Sequence, residues 1–151
     1  MSEYKNTVSF KETTEVLEAL FKYIRNIRPD CNLEYLTERS PSLCLKRIGA
    51  AFKIKQNIIG GYDAELPFII YHKANINDTR SIIDITIPFD ELAYSFEEEK
   101  FNNFPNLNLP DGCIPVSLEM VETPEDASGK ENNEAVFMAI FKLTYRRKSK
   151  I

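Results

Sequence analysis

Residues 60–80, GGYDAELPFIIYHKANINDTR, carry the reading on which the fold turns. Gly60-Gly61 supplies the positive φ angles of a hairpin turn. Tyr62 to Ala74 is then the return strand, apolar through Leu66-Pro67-Phe68-Ile69-Ile70-Tyr71. Pro67 lacks an N–H, which predicts a bulge or an edge position in the early part of that strand. Asn75 to Asp78 reads as a polar turn leading into the next element. Reactive side chains are nearly absent from the stretch, where His72 is the single histidine of the chain.

Upstream, Leu43 to Arg47 and Ala50 to Ile58 read as strands, interrupted at Gly49. Phe52, Ile54 and Gln56 are expected on one face and Lys53 and Lys55 on the other. Leu33 to Leu36 is a short strand candidate, broken by Ser40-Pro41-Ser42. Residues 11–27 form the clearest helix. Val16, Leu17, Leu20, Phe21, Ile24 and Ile27 fall on one stripe, with Glu12, Glu15, Glu18, Lys22 and Arg25 mainly opposite. Ser9 or Thr13 is the expected cap, and Arg28-Pro29-Asp30 the stop.

Downstream, Thr79 to Glu99 admits two readings. Ile82, Ile85, Phe89, Leu92 and Phe96 follow helical spacing, so an amphipathic helix kinked or broken near Pro88 is favoured. A strand to Ile87 followed by a short helix is the alternative, since Ile83, Ile85 and Ile87 alternate. Phe101 to Gly112 is a loop of Asn, Pro and Asp-Gly. Ile114 to Thr123 is a strand with Val116, Leu118 and Met120 inward and Ser117 and Glu119 outward. Pro124 to Asn133 is a polar, flexible connector. Glu134 to Arg146 is a long strand, apolar on both faces, and therefore central or covered on its second face by another subunit. The order predicts an α+β fold: a mainly antiparallel sheet with two helices packed on one face, in a single domain over residues 1–151, with 146–151 a flexible basic tail.

The chain has 151 residues, 43% hydrophobic and 28% charged, which suits one folded domain with a sizeable core. A net charge of −4 disfavours general binding to phosphate backbones. No apolar run is long enough for a transmembrane helix, and the polar N-terminus does not read as a signal peptide. Cys31, Cys44 and Cys113 are widely spaced, an arrangement that suits reduced thiols in a cytoplasm.

Candidate chemistry is sparse. His72 has no second histidine or cysteine cluster beside it in sequence, so a structural role is preferred to metal binding. A Cys44–His72 pair would suit nucleophilic chemistry, but Cys44 lies in an apolar run. Gly60-Gly61 lacks the frame of a phosphate loop. Glu97-Glu98-Glu99 reads as a solvated helix end. The basic tail from Arg146 to Lys150 offers at most a weak electrostatic contact to nucleic acid. No catalytic residue, cofactor or metal site is expected. The candidate assembly surface combines Lys53, Lys55, Tyr62 and Glu65 of the 52–66 hairpin with Glu125, Asp126, Lys130, Glu131 and Asn132 of the 124–133 loop.

The segment GGYDAELPFIIYHKANINDTRSIIDITIPFDEL, together with LEMVETP, a polar loop and AVFMAIFKLTYRR, resembles a family of tailed-phage proteins. These are the minor capsid or tail terminator proteins of Gram-positive phages and prophages, including phage-tail-like particles. The resemblance spans about residues 12–147, with Pro88 and the Asn- and Phe-rich loop 101–110 as departures. It implies a structural virion protein, assembled in the host cytoplasm as a ring, commonly sixfold. Such a ring caps the tail tube, ends tail growth and offers a head-joining surface. Its implied partners are further copies of itself, the tail tube protein, and sheath and head connector proteins; no membrane and no specific nucleic acid are implied. A head–tail stopper or adaptor bound to the portal is the alternative within virion assembly. A small ligand-binding or enzymatic domain using Cys44 or His72 is the alternative outside it.

Overall fold

Helix α1 (Phe10–Ile27) begins at Ser9, whose side-chain oxygen accepts a hydrogen bond from the backbone N–H of Glu12 at 3.2 Å. Capping by Ser9 satisfies one of the donors that a helix start leaves unpaired. Thr13, the other cap candidate, is instead buried inside the helix, where its hydroxyl accepts from the Ala51 N–H. The apolar stripe faces inward as its spacing predicts: Val16, Leu17, Leu20 and Ile24 are buried, joined by Tyr23.

The computed structural model describes residues 7–34, 42–57, 60–77, 79–127 and 134–148. After α1 come β1 (Cys31–Leu33), β2 (Ser42–Arg47), β3 (Phe52–Gln56), β4 (Tyr62–Asn75), α2 (Thr79–Ile85), α3 (Ile87–Phe101), β5 (Cys113–Asp126) and β6 (Glu134–Arg147). The six strands make one sheet in the order β1-β2-β4-β6-β5, with β3 also paired to β4. Among the described residues only β1–β2 is parallel; the other strand pairs are antiparallel. The fold is α+β, with its helices packed on one face of a mainly antiparallel sheet. The β1 strand is displaced from its expected place at Leu33–Leu36, of which residues 35–36 lie outside the described residues. Glu34 ends it with a left-handed φ of 68°.

Strand β4 is the organiser. Along one side it pairs with β6 for its whole length, Tyr62 opposite Arg147 through Asn75 opposite Glu134. Along the other side it pairs first with β3, up to Glu65, and then with β2, from Phe68. Pro67 falls in the gap between those two partners. Its carbonyl accepts from Ile48 N–H on that side, so its missing donor points the same way, into the gap. The expectation of an edge or a bulge at Pro67 is therefore corrected: the residue is interior, and the break in the neighbouring strands accommodates it. Gly49, with φ +77°, makes that break between β2 and β3.

The hairpin forms with Asn57 N–H donating to Gly61 O at 2.8 Å; of the two glycines expected to take positive φ only Gly60 does, at 100°. A register shift between Lys53 and Lys55 breaks the expected alternation in β3, so Phe52 and Lys55 share a face. Helical spacing wins over the alternating isoleucines at 83–87, and the helix breaks at Thr86, just before Pro88 enters the first turn of α3. Ile85, Phe89, Leu92 and Phe96 are buried, whereas Ile82 is exposed.

Strand β5 runs through Pro124, Glu125 and Asp126, three residues expected in a flexible connector. Three register shifts along β5 absorb the irregularity, and the first, between Pro115 and Ser117, turns Val116 outward rather than inward. Arg146 and Arg147, expected in a frayed tail, are the last residues of β6. The central position of β6 stands as expected.

The core lies between the helices and the inner sheet face. Phe68 of β4 stacks on Phe141 of β6 at 5.5 Å between ring centroids, and Phe96 of α3 meets Phe141 edge-on at 5.4 Å. All three rings are fully buried. Truncating Phe96 to alanine removes the ring that joins α3 to both central strands. The expected cost is about 3–5 kcal/mol, read as a lowered urea midpoint with an unchanged dependence on urea concentration.

Candidate functional site

The candidate surface residues divide sharply once placed. Lys55 is exposed on β3, and Lys53 lies with its ammonium 4.7 Å from the centre of the Tyr62 ring. Tyr62 itself is not a surface contact. Its hydroxyl lies 2.7 and 2.8 Å from the two carboxylate oxygens of Glu12 in α1. Glu65 accepts from Lys142 at 3.4 Å across the β4–β6 pair. Glu125 and Asp126 are exposed at the end of β5. Lys130, Glu131 and Asn132 lie outside the described residues. The hairpin and β5 groups are not brought together within one chain, because β4 and β6 separate them.

Glu12 is the centre of a partly buried polar network, although the sequence reading placed it on the exposed side of α1. Its Oε2 accepts from the hydroxyls of Tyr62 and Tyr145, each at 2.7 Å, and Arg147 Nε lies 3.7 Å from its Oε1. Arg147 continues the chain by donating to Cys113 Sγ at 3.3 Å and Asp111 O at 3.2 Å. Burial and the adjacent carboxylate both push the Tyr62 and Tyr145 phenols well above their ordinary range, so both stay protonated donors. Glu12→Ala leaves two phenol donors without their charged acceptor. It is expected to cost about 3 kcal/mol in chemical denaturation, with Glu12→Gln, which keeps an acceptor oxygen, costing roughly half as much.

Glu97 and Glu98 are exposed, as read for a solvated helix end, but Glu99 corrects that reading at its own position. It is 3% exposed. Its Oε2 accepts from the backbone N–H groups of Asn106 and Leu107, both at 2.7 Å, and its Oε1 from Asn106 Nδ2 at 3.0 Å. The carboxylate thereby ties the loop after α3 to the helix, while Asn103 and Phe104 turn the chain through left-handed φ angles of 62° and 56°. An acid followed within a turn by an Asn- and Pro-rich loop was the available signal, since such a loop has backbone donors to satisfy. Beside it lies a cleft of about 430 Å³ lined in part by Tyr23, Tyr94, Glu98 and Asn102.

His72 is buried, with Nδ1 2.7 Å from the carbonyl of Ile85. A carbonyl only accepts, so Nδ1 carries the proton. Arg28, Asp30 and Asp84 are the charged groups around its side of the molecule, where a cleft of about 340 Å³ opens between β4 and the α2–α3 break. Cys44 pairs with Tyr71 and Leu43 with His72, so Cys44 and His72 point to opposite sheet faces and make no catalytic pair. The three thiols are buried and free; burial pushes Cys31 up to about 12 and Cys44 up to about 11. Among the described residues, no group of three His, Cys, Asp or Glu side chains is arranged to hold a metal ion, and no helix is long and apolar enough to cross a membrane.

The basic tail is also reassigned in part. Arg146 Nε is 2.9 Å from Asp63 Oδ1, an ion pair that holds the Asp63 carboxyl below the usual carboxylate range. Lys148 N–H donates to Gly112 O at 2.8 Å. Residues 149–151 lie outside the described residues.

What remains uncommitted is surface. The sheet face opposite the helices carries Ile69, Tyr71, Met138 and Ile140, all half-buried. At one side of the sheet β3 exposes Phe52 and Ile54; at the other β5 exposes Ile114, Val116 and Val121. No protein-family model matches the chain, and neither does any curated protein.

Burial lowers the His72 pKa below its ordinary value of 6.5. Unfolding in acid therefore takes up a proton at this site. Its contribution to stability is full above about pH 6.5 and declines as the pH falls through that value towards the folded one. The decline is at most about 1.4 kcal/mol per pH unit. Denaturation at pH 7.5 and 5.5 should show it, and His72→Gln should flatten it. The Asp30 and Asp63 carboxyls, both held low, act in a separate window below their ordinary value of 3.8.

Proposed function

We propose that this chain is a structural protein of a tailed phage or tail-like particle. In this reading it is a tail terminator that assembles as a ring on the end of the tail tube, stops tail growth and offers the joining surface for the head. The observation that carries the reading is the second face of the sheet. Strand β6 is apolar on both sides, and the helices cover one of them, leaving Ile69, Tyr71, Met138 and Ile140 half-exposed opposite. A monomer gains nothing from apolar side chains there, whereas a subunit that docks on another assembly buries them. The sequence likeness to tail terminators, set out above on residues 60–92 and 118–147, supplies the identity of that assembly. The tail tube is the proposed partner, with sheath and head connector proteins following from the same likeness.

Mixing the purified chain with the tail tube protein of the same particle tests this by negative-stain microscopy. Tubes capped by a ring at one end, and arrested in length, are the expected result. Ile140→Asp on the uncovered face should reduce capping at least tenfold while the melting temperature stays within a few degrees of the parent. A chain that neither forms rings nor binds tube ends overturns the terminator reading. Binding to the portal in place of the tube would identify a stopper.

A further inference from the structure

Helices α2 and α3 are separated for a backbone reason. Pro88 has no N–H, so the bond that would run from that position back to the Asp84 carbonyl is missing. Thr86 closes α2 instead, its N–H and its hydroxyl both donating to Ile83 O at 3.1 and 2.7 Å. Its own carbonyl opens α3, accepting from Phe89 and Asp90 N–H at 3.1 and 3.2 Å. The two helices are also anchored differently. Phe89, Leu92 and Phe96 of α3 enter the main core. Of the described α2 side chains only Ile85 is buried, Ser81 is half-buried, and Arg80, Ile82, Ile83 and Asp84 are exposed. Ile85 belongs to a separate small cluster with Ile76 and Ala135.

His72 ties α2 to β4, donating from Nδ1 to the carbonyl of Ile85, the last residue of the helix. The residue is 5% exposed and lines the cleft of about 340 Å³ beside the break. Its Nε2 makes no hydrogen bond with the described residues. In the neutral ring that nitrogen is an acceptor; on protonation it becomes a second donor that needs a partner. The carboxylates on this side are committed elsewhere. Asp30 pairs with Arg28 at 3.0 Å, Glu91 of α3 with Arg28 at 3.2 Å, and Asp84 of α2 with Arg80 at 3.2 Å. The Arg28 guanidinium lines the same cleft and opposes another positive charge there. Leu43 and Phe137, the strand neighbours of His72, bring no charge.

We propose that α2 is an acid-released flap. Protonation of His72 on Nε2 frees it from β4, opens the cleft to water and leaves α1, α3 and the sheet folded. Water then hydrates the imidazolium, and only the small Ile85 cluster is given up, not the main core. With the flap closed, burial holds the ring neutral below its ordinary value of 6.5; with the flap open, that ordinary value returns. The open form therefore binds the extra proton. Its population rises as the pH falls below about 6.5, by at most about tenfold per pH unit. The flap works within a single chain and does not depend on ring assembly.

Hydrogen exchange of the full chain at pH 7.5 and 5.5, corrected for the intrinsic pH dependence of exchange, tests the flap. Carboxyl groups ordinarily titrate at about pH 4, below this window. Protection of the α2 amides is expected to fall several-fold between the two conditions, while that of α1, α3 and β4 holds. His72 is the single histidine of the chain, so its ring signals report protonation in the same samples. His72→Gln should remove the pH dependence of α2 protection. Arg28→Gln keeps the ring and removes the opposing charge, so it should move the ring titration and the opening together to higher pH. Equal α2 protection at both pH values overturns the flap, and so does a fall shared with α1 and α3. A pH dependence that survives in folded His72→Gln does the same. Where His72→Gln does not fold, the parent and Arg28→Gln decide: opening that fails to follow the ring titration overturns the flap.

Discussion

The pairing of β4 with β6 over fourteen residues is the constraint on which the rest of the structure depends. Every other strand except β1 is registered directly on one of these two. The pair also holds the stacked rings of Phe68 and Phe141, against which Phe96 brings the second helical segment. With the period of a strand equal to two, a slip of one residue between β4 and β6 would exchange the buried face for the uncovered one. The inner face is fully apolar along Leu66, Phe68 and Ile70 and along Ala139, Phe141 and Leu143, so such a slip is heavily disfavoured.

Elements whose evidence is local were legible in the sequence. The stripe of α1, its Ser9 cap, the Gly60-Gly61 hairpin and the central place of a doubly apolar β6 each follow from spacing or from a backbone requirement within a few residues. Features that depend on a distant partner were not. Pro67 reads as an edge residue because its missing donor is visible, whereas the gap between β2 and β3 that receives it is set by Gly49 and the chain's path. Tyr62 and Arg146 read as free surface or tail because nothing near them in sequence announces Glu12 or Asp63. Glu99 was hidden within a run of acids, three of which look alike until the loop folds back on one.

For the candidate site the same division holds. The charges of the hairpin and of the 124–126 segment were visible. That β5 extends through Glu125 and Asp126 was not, because Pro124 and the polar residues after it have the composition of a loop. The irregular register of β5 is what admits them: three shifts let the strand continue past Pro115 and Pro124 without demanding a donor from either. An outer strand tolerates this, since only one of its sides must match a neighbour within the chain.

The Glu12 network gives the two sheet edges a common frame. Gln56 of β3 is level with Tyr62, Tyr62 with Arg147, and Arg147 with Cys113 of β5, so one row crosses the sheet from edge to edge. Tyr62 and Arg147 on that row both engage Glu12, and Arg147 engages Cys113. Helix α1 is thereby fastened to the row joining the edges. A partly buried, charge-assisted network resists bending more than apolar packing alone, because its hydrogen bonds are directional. The shape of the sheet across that row is therefore held by residues that the sequence reads as free surface or tail.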